Sequence, residues 1–419
     1  MLKLISFLQN NPDDWEEKLT SPPYCLKIKK GEGEYEGLIL FKYSQFDSDF
    51  SNPIVQEARG IILDAEDEWR VVRMSFRKFF NYAEEEADDI DWKTARVQEK
   101  VDGSLMSVSY WSRGKKWLVS SNGEMDAGKY KVVPALEING RHSANTLKSL
   151  FYQAWYKEMP PFATFEDFLD KNKTYTFELV SPYNKVVISY PETYIYHLAT
   201  RNNDTLQEEN VDIGIPKPEE YYLRSIEEVI WAAKALNRVG FDTVNGEETI
   251  SDVDYEGYVV VDANYNRIKV KSPLYLAASY LIGGVLTFKK AFNIVYARNE
   301  EKEYISYFPE KKPLFQKVHE IVDRLIETME AGWKWVEQET GMAESQKEFA
   351  EFVKDLQFSD YYLQKRKISD LTPKEFLFGG RKFWSTKKKT WSFTPPHRAL
   401  SEYVTKFYLN EDASDNWRF

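Results

Sequence analysis

The sequence predicts an α+β protein in which antiparallel sheets come first and a mainly helical segment follows. Three observations carry that expectation. Short β-rich runs separated by turns fill the chain from about residue 34 to 272. Apolar residues switch to three- and four-residue spacing after Ser272. The length of 419 residues exceeds what one hydrophobic core usually holds. Two domains are expected, 1–280 and 281–419, the first with a core large enough to enclose a site.

In chain order, Gly60 to Leu63, Leu105 to Tyr110, Tyr175 to Val180, Tyr194 to Leu198, Tyr258 to Val261 and Arg267 to Val270 read as strands. One inserted helix is well marked. Ser225 and Glu228 form a capping box, Ile226, Val229, Ile230 and Ala233 share a face, and Gly240 can close it. Beyond Ser272, Leu314, Val318, Ile321, Val322, Leu325 and Met329 form a helical stripe whose residues belong to a core.

With 42% hydrophobic and 16% aromatic residues the chain can bury a core and still leave rings for stacking. A net charge of −11 argues against indiscriminate coating of nucleic acid, though a local basic groove remains open. The acidic cluster of Glu84, Glu85, Glu86, Asp88 and Asp89 reads as a solvated loop. The lone Cys25 excludes an intramolecular disulfide framework and a cysteine-based zinc site, and it fits a reducing cytoplasm. The apolar stretch Met1 to Leu8 is too short for a signal peptide, and Leu274 to Phe288 is too short to span a bilayer. No membrane association is expected.

The segment Lys100-Val101-Asp102-Gly103-Ser104 stands just before a strand. Alone, K-x-D-G occurs by chance in roughly one chain in ten of this length, and it also describes an ordinary turn. Glu256-Gly257-Tyr258-Val259 is followed by a polar turn and by Lys269-Val270-Lys271. Strand alternation points Lys269 and Lys271 the same way, and a hairpin brings them beside Glu256. Thr176 to Pro182 places the acid Glu178 among strand residues, with Asn184 and Lys185 beyond.

In this order the segments resemble the covalent nucleotidyltransferase superfamily, and within it the phage RNA ligase 1 family, which repairs broken tRNA. Arg59-Gly60-Ile61 and Lys78-Phe79-Phe80-Asn81 also look like that family's segments, so the likeness covers roughly residues 34 to 280. The resemblance implies an antiparallel-sheet, ATP-grasp-like ligase domain. Lys100 would be the nucleophile that takes AMP from ATP, with Lys269 and Lys271 as catalytic partners. Glu178 would contact the ribose, and Arg59 and Lys78 the β- and γ-phosphates. Phe80 and Tyr275 would shape the site, with Glu99, Asp102 and Gly103 also lining the nucleotide. Glu256, with Asp102 through water, is the expected holder of Mg2+ or Mn2+. One departure stands out: where the family can carry a basic residue before the glycine after the second strand, this chain has Asn122-Gly123.

These residue types suit the reaction. A lysine is almost wholly protonated at neutral pH, and only the neutral amine attacks phosphorus, so neighbouring cations that disfavour the ammonium would activate Lys100. The same cations can hold the α-phosphate as charge moves onto its oxygens. The expected substrate is RNA with 5′-phosphate and 3′-hydroxyl ends, single-stranded or a broken tRNA, in the cytoplasm, a host's if the chain is phage-encoded. A monomer is the working expectation. The tail mixes Arg381, Lys382, Lys387, Lys388 and Lys389 with Phe383, Trp384 and Trp391, a composition that suits unpaired RNA as well as a solvated loop. Two rival readings are a DNA-nick ligase, disfavoured by Ser104 and the helical C-terminal part, and a non-catalytic RNA-binding protein, disfavoured by the intact lysine and glutamate set.

Overall fold

The computed structural model describes residues 2–394 except 46, 133–135, 139–140, 144–145, 161, 237–240, 245–246, 251–253, 281–287, 299, 341–344, 357, 370, 379–380 and 386–389. The chain divides into two compact units, Met1–Gly284 and Val285–Phe419.

Among the described residues, the first unit has three larger sheets and two two-stranded ones. One is wholly antiparallel in the order Lys27–Lys30, Leu38–Lys42, Arg59–Asp64, Arg70–Arg73. A bulge puts Lys42 opposite Arg59 while Phe41 faces Ile61, so Gly60 is the extra residue. Gly60 has φ +79, and a Cβ there would stand 2.6 Å from the carbonyl oxygen of Asn122, so only glycine fits. The second sheet runs Glu208–Glu209, Tyr194–Asn202, Lys173–Val180, Ser104–Trp111, Lys116–Ser121. The third runs Glu220–Tyr221, Arg96–Glu99, Gly257–Val261, Arg267–Lys271, Phe80–Asn81, of which the last pairs in parallel.

Period-two alternation explains what each sheet covers. Leu38, Leu40, Ile62 and Val72 from the first sheet pack with Trp111 and Leu118 from the second. The other face of the second sheet carries Met106, Val108, Phe177 and Leu179 and is covered by the helix Leu147–Glu158 through Leu150, Phe151, Ala154 and Trp155. In the third sheet Val97, Tyr258, Val260, Ile268 and Val270 are buried with Val229 and Ala233 of the helix Ile226–Ala235. Gln98, Val259, Lys269 and Lys271 are thereby assigned to the opposite face. The Ile226–Ala235 helix starts where expected: Ser225 Oγ accepts from the Glu228 amide. Glu228 reaches back one residue further than a capping box requires, to the Arg224 amide at 2.7 Å. Gly240 lies outside the described residues.

The acidic loop departs from the solvated reading. Asp88 pairs with Arg77 at 2.6 Å and accepts the Arg267 amide at 2.9 Å, so it anchors the loop to the third sheet. The N-terminal segment forms the helix Lys3–Asn10, which buries Leu4 and Leu8 and whose first amides are capped by Glu57.

In the second unit the long helix Lys312–Thr340 buries Leu314, Val318, Val322, Leu325 and Met329, with Ile321 half-buried at the edge of the stripe. Shorter helices, Gln346–Val353, Ser359–Lys365 and Pro373–Phe378, follow it. The tail carries an antiparallel hairpin, Arg381–Ser385 with Thr390–Thr394, in which Trp384 stands opposite Trp391. Lys387, Lys388 and Lys389 lie outside the described residues. Among the described residues, no helix is long and apolar enough to cross a membrane.

Gly257 is the tightest point of the third sheet. Its φ is +145, and a Cβ would meet the Val270 carbonyl oxygen at 2.1 Å and the Lys271 Cα at 2.7 Å. Gly257→Ala should therefore destabilise the first unit by about 2–4 kcal/mol, since both the backbone and the neighbouring strand must shift. Urea unfolding of the variant against the parent measures this; a difference below about 0.5 kcal/mol, the scatter of neutral surface changes, would contradict it.

Candidate active site

Lys100 directly follows the strand Arg96–Glu99, and its amide continues that strand's pairing by donating to the Gly257 carbonyl at 2.8 Å. Gly257 in turn pairs with Lys271 on its other side. Lys100, Gly257 and Lys271 thus form one row across three strands, on the face that also presents Lys269. Glu256, the residue before Gly257, is buried and meets Lys100 Nζ through Oε2 at 2.7 Å. Glu256 is itself held by its backbone, whose carbonyl accepts the Ser272 amide at 2.7 Å.

The Asp102-Gly103 turn is fixed from both sides. Asp102 Oδ2 accepts the amides of Val187 and Ile188, each at 2.8 Å, and Oδ1 accepts the Tyr275 hydroxyl at 2.8 Å. A Cβ on Gly103 would stand 2.4 Å from the Leu179 carbonyl oxygen, so the turn packs directly on the strand that carries Glu178. The structure ties Asp102 and Tyr275 to each other and to the loop that follows the Glu178 strand. With three donors on its carboxylate, Asp102 anchors the 181–190 loop, and Tyr275, buried, locks that anchor. Asn184 joins the same arrangement through a 2.7 Å hydrogen bond to Ser104 Oγ.

Glu178 lies half-buried on the second sheet, opposite Leu105 and Tyr196. Desolvation pushes its carboxyl up to about 8; Lys100 and Arg59 oppose the rise, while Glu256 and Asp102 add to it. These electrostatic neighbours bring the three motif acids and two of the motif cations into one groove. Glu99 stands opposite Tyr258 and beside Glu219; burial, then the Glu219 charge, raises its carboxyl. Its charge acts on Tyr190, Tyr196, Tyr221 and Tyr258, a ring of tyrosines.

Arg59 and Lys78 form no ion pair with a carboxylate among the described residues. The Arg59 guanidinium lies over the Phe79 ring at 4.9 Å, and one nitrogen is 3.5 Å from the Arg77 carbonyl oxygen. Lys78 Nζ sits among three rings, 4.0 Å from the centroid of Phe50, 5.0 Å from Tyr43 and 5.1 Å from Phe80. Phe80 is buried, so it shapes the site from beneath Lys78. Ring faces hold an ammonium without neutralising it, which leaves its charge available to an anion.

Sequence reasoning missed Arg73, Tyr190 and the 187–188 amides. Arg73 is fully buried and donates to the Gly60 carbonyl, to Ser107 Oγ at 2.9 Å and to Asn122 Oδ1 at 3.0 Å, with no carboxylate in the set. Burial, then Arg59, lowers its pKa to about 9. An arginine at the end of the strand Arg70–Arg73 gives no sequence signal of such burial, whereas the tyrosines at 190, 194 and 196 could have marked an aromatic wall. A separate cavity lined by Phe76, Phe79 and Tyr265 also holds Glu208, whose single carboxylate bridges the guanidiniums of Arg201 and Arg267.

Comparison with known proteins agrees with this grouping. The sequence model of the RNA ligase family matches residues 57–275, just over half of the chain, from just before the Gly60 bulge to Tyr275. A protein of Autographa californica nuclear polyhedrosis virus, described as a bifunctional polynucleotide kinase/RNA ligase, is 28% identical over 274 residues, covering 60% of this chain and 34% of that protein. The RNA ligase of Rhodothermus phage RM378 is 25% identical over 351 residues, covering 72% of this chain and 77% of that one. The chain therefore matches about a third of the length of the first relative and about three quarters of the second. An archaeal ATP-dependent RNA ligase of known structure aligns with 96% of this chain and 98% of that chain, at 12% identity and a TM-score of 0.44, a likeness too slight to bear on mechanism. On the family match, whose span contains every motif that meets in the groove, the chain belongs to the RNA ligase family.

Proposed function

We propose that the chain is an ATP-dependent RNA ligase that joins a 5′-phosphate to a 3′-hydroxyl through a lysyl-AMP and an RNA-adenylate, acting on single-stranded RNA or broken tRNA. The observation that carries this reading is the placement of Lys100 Nζ on Glu256, in one row with Lys271 and within the electrostatic reach of Glu178. A nucleophile held by a buried acid and flanked by a second lysine suits attack on a phosphate that must be both gripped and neutralised.

In the first step Lys100 leaves Glu256 and loses a proton. Its Nζ lone pair forms the bond to the α-phosphorus of ATP as the bond to the bridging oxygen breaks, and pyrophosphate departs. Lys271 and Lys269 hold the α-phosphate oxygens while charge accumulates there. In the second step an oxygen of the RNA 5′-phosphate displaces Lys100 from phosphorus. In the third the 3′-hydroxyl, having lost its proton, attacks the 5′-phosphate and AMP leaves. Each step is an in-line displacement, so one groove serves all three.

Glu256 fits a divalent cation, Mg2+ or Mn2+. Its Oε1 has no hydrogen-bond partner among the described residues, and a carboxylate oxygen is the donor type such hard ions prefer. When bound there, the ion supplies positive charge next to the α-phosphate. Asp102, with three donors already on it, positions the loop, so the proposed metal role falls to Glu256. Glu178, Glu99 and the tyrosines near them receive the nucleoside, and Arg59 and Lys78 receive the outer phosphates. The C-terminal unit, with the paired strands Arg381–Ser385 and Thr390–Thr394, is proposed to hold RNA.

Lys100→Ala should abolish covalent labelling by α-labelled ATP on a denaturing gel, yet keep measurable sealing of RNA that already carries 5′-AMP, because the last step does not use the amine. Wild-type labelling of the variant would contradict the assignment. If sealing of the adenylated RNA is also abolished, Lys100 serves more than nucleophilic attack.

Glu178 supplies a second test. Its folded pKa of about 8 lies above the value near 4.3 of an unfolded chain, so between these limits the folded state binds the extra proton and loses stability as pH rises. Glu178→Gln removes that slope. In urea unfolding without nucleotide, the parent should lose stability relative to the variant by up to about 1.4 kcal/mol per pH unit between pH 5 and 8. Parallel pH profiles would place Glu178 in open solvent.

A further inference from the structure

The motif comparison left a gap at Asn122, where a basic residue was expected. The geometry around it shows why a lysine does not suit that position. Asn122 Oδ1 accepts from the buried Arg73 guanidinium at 3.0 Å, and among the described residues Arg73 pairs with no carboxylate. A lysine at 122 would remove an acceptor from that guanidinium and add a second cation beside it.

A cation reaches the same turn from another strand. Lys42 ends the strand Leu38–Lys42 and stands opposite Arg59 because of the Gly60 bulge, so the two side chains share a sheet face. Its Nζ lies 3.8 Å from where a Cβ on Gly123 would be. The Asn122-Gly123 turn in turn closes over Gly60. The neighbouring acid of the turn, Glu124, is already paired with Lys29. Lys42 therefore makes no ion pair with any described carboxylate. It is half-buried, and desolvation, the largest effect, lowers its pKa; Tyr43 opposes this, Lys27 and Lys29 add to it, and Glu124 opposes it least. Such an ammonium is costly to keep in the folded chain unless an anion comes to it.

The turn lies at the reactive end of the second sheet: Ser121 pairs with Met106, two residues beyond Ser104, and Ser104 pairs with Leu179 beside Glu178. We infer that Lys42 is a phosphate-binding residue for the triphosphate end of ATP, working with Arg59 and supplying the positive charge that Asn122 lacks. This rests on the reading of the groove as an ATP site and extends it to a residue outside the family's motifs. The assignment to ATP rather than to RNA follows from Arg59, its cross-strand partner and the proposed contact of the outer phosphates.

The test uses the full chain carrying Lys100→Met, so that ATP binds without reacting, and calorimetric titration with ATP and with AMP in the presence of Mg2+. Adding Lys42→Met should weaken ATP about 10- to 100-fold, the worth of one charge-assisted contact, and leave AMP within about twofold. Lys42→Arg in the same background should restore most of the ATP affinity. Binding of 5′-adenylated RNA should not change with Lys42→Met. Equal losses for ATP and AMP would mean a structural role and overturn the inference, as would a loss confined to adenylated RNA. If the Lys100→Met parent binds ATP and Lys42→Met matches it, the inference alone fails. If the parent binds no ATP, the reading of the groove fails and the inference falls with it.

Discussion

The arrangement depends on one close approach, that of Gly257 to the strands on either side of it. Its carbonyl takes the Lys100 amide, and its Cα faces Lys271 with no room for a side chain. Any larger residue would push the strand Gly257–Val261 away from the strand that carries Lys271. The carboxylate of Glu256, one residue earlier, can then reach Lys100. A two-residue unit, Glu256-Gly257, thus sets both the strand spacing and the contact that Lys100 makes. The helix Ile226–Ala235 on the far face holds this sheet in place through Val97, Val260 and Val270.

Charge is distributed unevenly around that centre. The chain carries a net −11, and surface lysines such as Lys116, Lys157 and Lys173 are paired with acids. At the groove the pattern reverses. Arg59, Lys78 and Lys42 are held by rings, a backbone carbonyl and strand pairing, and Arg73 lies buried beneath them without a carboxylate. Holding cations by neutral groups preserves their field, which a surface ion pair would largely cancel. It also costs stability, since a desolvated charge without an opposite charge is unfavourable in the folded chain. A site of this kind binds a polyanion strongly without making the whole surface basic.

Much of this was legible in the sequence. The α+β order, the helical stripe from Leu314 to Met329 and the grouping of Lys100, Glu178 and Glu256 follow from periodicity and motif order. Local chemistry was harder to read. Asp102 reads in the sequence as an oxygen donor to a metal through water, while its hydrogen bonds to the amides at 187 and 188 are announced by no side chain. Asp88 looked like part of a solvated cluster, but a long-range contact with the Arg267 amide fixes it. Lys42 carries no motif, and only the one-residue bulge at Gly60 puts it opposite Arg59. Pairings distant in sequence and shifts of register are the features that a single sequence does not display.

The central claim is that Lys100, and neither of the lysines beside it, is the nucleophile. Incubation of the intact chain with ATP and Mg2+, followed by proteolysis and tandem mass spectrometry, addresses it directly. The expected result is one AMP adduct on the peptide containing Lys100, released when RNA bearing a 5′-phosphate is added. An adduct on Lys269 or Lys271, or a chain that gains no AMP, would contradict it.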